Sequence, residues 1–163
     1  MVITLMKESS GVRIGKCGPV LICVWFEQAT VAGMKLVMDC QRQLVEEFGS
    51  TTMLAVAMNL PTRPAPEVSQ WLRETNHAND LTINATVVAI LARGLGAVIA
   101  RSFIAALSLF SRQRYTVVKT IEEAVGAVRQ LPNQDPSIAA FDGFAQALSD
   151  FVETRRAGFA HVG

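Results

Sequence analysis

Few residues in this chain are of types that could carry chemistry, and their spacing limits what each can do. There are two histidines, His77 and His161. His77 stands in the run Thr75-Asn76-His77-Ala78-Asn79-Asp80, which reads either as a general base oriented by Asp80 or as a solvated loop histidine. His161 lies in the tail. The turn Arg93-Gly94-Leu95-Gly96 follows one apolar run and opens another. Backbone amides at a helix start attract an anion and an arginine strengthens the attraction, but a tight turn needs the same glycines. Its spacing is that of neither a P-loop nor a dinucleotide fingerprint. Glu46/Glu47 and Glu122/Glu123 are adjacent carboxylates that diverge by roughly 100° around a helix, so they form no catalytic pair. Thr62 and Ser69 flank a proline-rich loop and are the nearby hydroxyls open to phosphorylation. Cys17, Cys23 and Cys40 are odd in number and contain no C-x-x-C pair. Cys23 and Cys40 read as small core residues, and neither a disulfide framework nor a zinc site is expected, which fits a reducing compartment. The chain has no G-x-S-x-G or H-E-x-x-H motif. No catalytic, cofactor-binding or metal-ligating residue is assigned, and no cofactor is expected.

Charge narrows the class of partner. Fifteen basic and 14 acidic residues leave a formal net charge of +1, without the basic excess of a nucleic-acid-binding domain. Half of the 163 residues are apolar and 18% are charged, enough for a single core with apolar surface to spare. The longest apolar stretch, residues 85–110, is interrupted by Arg93 and Arg101. Each arginine would cost about 2.5–3.5 kcal/mol near a bilayer centre. The stretch is therefore expected to be a strand, a turn and a buried helix rather than a membrane span. Met1 to Met6 is too short for a signal peptide, and the expected location is the cytoplasm.

Hydrophobic periodicity supplies the elements that must position these residues. Val2–Met6 and Val12–Lys16 read as short strands, and Val20–Phe26 as a central strand buried on both faces. A helix capped by Thr30 and ended by Gly49 follows, with Met34, Val37, Met38, Leu44, Val45 and Phe48 on one stripe. The strand Thr52–Met58 enters the proline-rich loop, and Pro66 opens a helix to about Thr75. A polar loop is expected over 76–80, then a strand over Ala85–Leu91 and a helix over Leu95–Phe110. Tyr115–Lys119 is the last strand, and Thr120-Ile121-Glu122-Glu123 is a capping box that opens the next helix. Asp135-Pro136 opens another, with Phe141, Phe144, Leu148 and Phe151 at helical spacing. A frayed tail is expected from Arg155. The fold class is α/β: a mixed four- to six-stranded sheet with helices packed on it.

The runs VLICVWF, TTMLAVAMNL, ATVVAIL through ARGLG, and YTVVKTIEEAVGAV, in that order, resemble the STAS/SpoIIAA-like family between about Val12 and Leu131. The resemblance implies a SpoIIAA-like domain over 1–132 with an extra amphipathic helix and tail over 133–163. Asn59 stands where the family usually has an aspartate, and PTRPAPEVS replaces its serine-rich pattern, so a sporulation-type phosphoswitch is not implied.

Two apolar surfaces bear on partners. Ile104 lies on the helix over 95–110, which is apolar almost all round, and Phe141, Phe144 and Phe151 lie on the C-terminal stripe. Each surface is covered either within the chain or by another protein. The expected function is a non-enzymatic interaction or regulatory module of a bacterial cytoplasm, self-associating or bound to a partner protein. An apolar-ligand or lipid carrier, with its pocket between the 95–110 helix and the sheet, is the second reading. An enzyme using His77 or the Arg93 turn is the third.

Overall fold

The computed structural model describes residues 1–9, 11–59, 65–79, 83–94, 97–98 and 115–159. Its chain is α/β, built on one mixed six-stranded sheet in the sequential order β1 to β6. β1 (Thr4–Glu8), β2 (Val12–Cys17) and β3 (Val20–Trp25) form an antiparallel meander, and β4 (Thr51–Ala57), β5 (Ile83–Ile90) and β6 (Tyr115–Val118) continue it in parallel. Among the described residues five helices accompany it: α1 (Val31–Phe48), α2 (Pro66–Asn79), α3 (Ile121–Arg129), α4 (Pro136–Ala139) and α5 (Phe144–Phe159).

Each of the first connections is set by local chemistry. Thr30 Oγ1 accepts the Gly33 amide at 3.0 Å and starts α1. Gly49, at φ +81°, ends it by donating its amide to the Val45 carbonyl. Alternation along the strands then sorts the core into two faces. Leu21 and Cys23 look toward Val37, Cys40 and Leu44 of α1. On the same face Val88 and Ile90 meet Ala97, in the helical turn after β5. Ile22, Val24, Leu54, Val56 and Val87 look the other way, onto Val125 and Val128 of α3, Ile138 of α4, and Phe144, Leu148 and Val152 of α5. The crossover side thus carries α1 and the turn at Ala97, and the opposite side carries the C-terminal helices.

Some details differ from expectation. α2 runs on to Asn79 through the polar stretch read as a loop, because no glycine or proline stops it. The backbone of α5 continues to Phe159, past the expected fraying point. Phe48, placed on the buried stripe of α1, is 41% exposed, and Gly33, outside that stripe, is buried. The helix expected over 95–110 falls, apart from the turn at 97–98, outside the described residues.

Candidate functional site

In an open parallel sheet, ligands bind beyond the carboxyl ends of the strands, at the point where neighbouring connections leave for opposite faces. That point lies between β5 and β6. After β5 the chain turns toward the α1 side, where Ala97 packs. After β6 it turns the other way, into α3, whose Ala124, Val125 and Val128 are buried on the opposite face. The two strands run parallel with Ala89 opposite Val118, so Leu91–Arg93 emerge beside Lys119–Thr120. A crevice of about 560 Å³ opens there, lined by Ile90 to Gly94 from one strand end and by Lys119 to Glu122 from the other.

Local chemistry shapes both walls. Gly94 has φ +88°, which a side chain would strain, and its carbonyl accepts the Ala97 amide at 3.2 Å. Opposite, Thr120 Oγ1 accepts the Glu123 amide at 3.1 Å. The Glu123 carboxylate accepts the Lys119 amide at 2.9 Å, one residue earlier than the expected capping box would place it. Both groups are thereby committed to the cap. The side chains of Arg93, Lys119 and Glu122 are exposed, and none has an ion-pair partner among the described residues. Ile90 is buried, and Leu91, Ala92 and Ile121 are half-buried, so part of the wall is apolar. The arrangement can attract an anion and cover a short apolar group.

The other expected residues are placed as follows. Of the anion-site trio, Arg93 and Gly94 line the crevice, and Gly96 lies outside the described residues. Ser69 is half-buried in α2, with its carbonyl accepting from Arg73 Nε at 3.2 Å. Thr62, Asp80, Ile104 and His161 lie outside the described residues, and so does the side chain of His77. The pocket expected for an apolar ligand falls in the same gap. Asn59 donates from Nδ2 to the Phe26 carbonyl at 3.4 Å, tying the end of β4 to the end of β3.

The aromatic stripe is corrected. Phe144 is fully buried and Phe151 is 7% exposed, both against the sheet of their own chain. Phe141 is half-buried and stacks on Phe144 with ring centroids 5.6 Å apart. Of the two coverings that the sequence leaves open for this stripe, the structure shows the one within the chain; helical spacing marks a stripe but not what covers it.

All three cysteines are buried and unbonded. Burial raises the thiol pKa of each, and at Cys23 the neighbouring Cys40 adds to the rise, so none is poised as a nucleophile. Among the described residues no three metal-ligating side chains gather. Nor, among those residues, is any helix long and apolar enough to cross a membrane.

Compared with protein-family models, with curated proteins and with solved structures, the chain matches none.

Sequence reasoning found one wall of the crevice and missed the other. In the sequence Lys119 reads as the end of the last strand and Glu122 as the interior of a cap. The signal that could have found them is topological. They follow a strand adjacent and parallel to the one before Arg93, and the next helix packs on the opposite face.

Proposed function

We propose that this chain is a non-enzymatic regulatory module, similar in architecture to STAS/SpoIIAA-like domains, that recognises a ligand in the crevice beyond β5 and β6. The observation that carries this reading is the position of the crevice where the two connections part. Its lining favours binding over reaction. The Thr120 hydroxyl and the Glu123 carboxylate are engaged in the cap, and the remaining charged groups are two cations and one carboxylate. The module would pass its bound state to a partner protein or to a second copy of itself in a bacterial cytoplasm. Met1, Val2 and Leu5 support such contact: they are exposed apolar side chains at the start of the edge strand.

The test is a ¹⁵N-resolved titration of the full chain with pooled small metabolites, followed by spectra of the metabolites themselves over several hours. Shifts centred on Gly94, Ile121 and Glu122, with no metabolite altered, support the reading. Conversion of a bound metabolite overturns the non-enzymatic part. Shifts elsewhere only, or none at all, overturn the site.

A further inference from the structure

Resting on that reading of the crevice, we propose that its occupant is a small organic monoanion, with one carboxylate-sized charged group on a short apolar body. Charge selects the first half of the description. Among the described residues the lining has two cations, Arg93 and Lys119, and one carboxylate, Glu122, one positive charge in excess. Arg93 and Lys119 come from separate strand ends, and neither is engaged in an ion pair among the described residues. A single negative charge between them balances the lining. A second would share the two cations with the Glu122 carboxylate of the same lining, and like charges repel.

Shape selects the second half. A cavity of about 560 Å³ is far larger than an inorganic ion, and Ile90, Leu91, Ala92 and Ile121 would stay wet around one. An apolar body removes that surface from water, and this adds affinity in proportion to the area covered. A neutral molecule of the same shape would cover the wall but leave both cations unanswered. The crevice is therefore matched to amphipathic acids, not to inorganic phosphate or polyphosphates.

Three six-carbon probes separate these terms: hexanoate (a monoanion), hexyl phosphate (a dianion at pH 8) and 1-hexanol (neutral). Each is titrated into the full chain at pH 8 while the amides of Gly94, Ile121 and Glu122 are followed. Hexanoate is expected to shift them with the lowest Kd. Arg93→Ala and Lys119→Ala are each expected to raise that Kd about tenfold, the scale of one charge-assisted contact. Glu122→Gln is expected to narrow the gap between hexyl phosphate and hexanoate, an effect that a merely structural role would not give. All three side chains are exposed, so these variants keep the fold. Arg42→Ala, on the far helix α1, controls for non-specific charge loss. If hexyl phosphate binds tighter than hexanoate to the unmodified chain, or 1-hexanol binds as well, the monoanion assignment is wrong while the crevice reading stands. If no probe moves those amides, both are wrong.

Discussion

Gly15 shows how much of this structure turns on single atoms. It lies in the middle of β2, and a Cβ placed there would sit 2.7 Å from Phe151 Cζ and 3.0 Å from the Thr4 carbonyl oxygen. The Phe151 ring of α5 occupies the space that the missing side chain leaves. Arg13, one step along the same face, holds the other side of the clamp. Its guanidinium lies 4.5 Å from the centre of the Phe151 ring, and Nη1 donates to the Phe151 carbonyl at 3.0 Å. The Arg13 Nε is buried without a hydrogen-bond partner, 3.9 Å from Glu8, so this residue holds α5 through stacking and one bond rather than through a full ion pair. Gly15→Ala is therefore expected to destabilise the chain by about 1–3 kcal/mol, since the obstructing ring is itself packed. Urea unfolding measures it. A change no larger than that of an exposed helical control such as Arg42→Ala would show that α5 does not approach β2 this closely.

At the level of elements, α4 is too short to hold itself and depends on its cap. Asp135 Oδ1 accepts the Ser137 amide at 2.8 Å and also the Ser137 hydroxyl. The Ser137 hydroxyl bond first, then the backbone bonds, hold the Asp135 carboxyl below the ordinary carboxylate range. A depressed carboxylate stabilises the fold above its unfolded-state pKa, and that contribution fades as pH falls through the folded-state pKa. Replacing Asp135 by Asn keeps a capping oxygen and removes the titration. The urea midpoints of the two proteins should thus differ at neutral pH and converge in acid; a gap of constant size across that range would count against the cap as a charged one. This cap was legible from Asp135-Pro136-Ser137 alone, as were Thr30, Gly49 and Thr120, because caps and strands are written in neighbouring residues. The end of α2 was not, since a polar run over 76–79 suits a helix as well as a loop. The crevice was half legible for the same reason. Arg93 and Gly94 advertise a turn locally, but their meeting with Lys119 and Glu122 is created by the parallel pairing of β5 with β6, which no local pattern encodes.

The whole molecule is a sheet between two unlike layers. One side is covered by the helices that connect the strands. The other is covered mainly, among the described residues, by chain that comes after the last strand: α3, α4 and α5. Phe144, Leu148, Phe151 and Val152 all lie beyond Pro132, and they bury Ile22, Leu54 and Val56 from water. Losing one such aromatic costs about 3–5 kcal/mol, comparable to the whole stability of a domain at the weak end of the usual range. A chain ending at Pro132 is therefore expected to scatter light as an aggregate, while the full chain remains a discrete species. A soluble, folded truncated monomer would mean that α4 and α5 are dispensable. The same asymmetry governs how the protein is born. The strands that need α5 are made before it, so at elongation rates of about 5–20 residues per second an oily sheet face waits for several seconds until α5 follows. The truncated chain is a stationary copy of that interval, and its aggregation measures how much the newborn protein depends on holding factors until α5 is made.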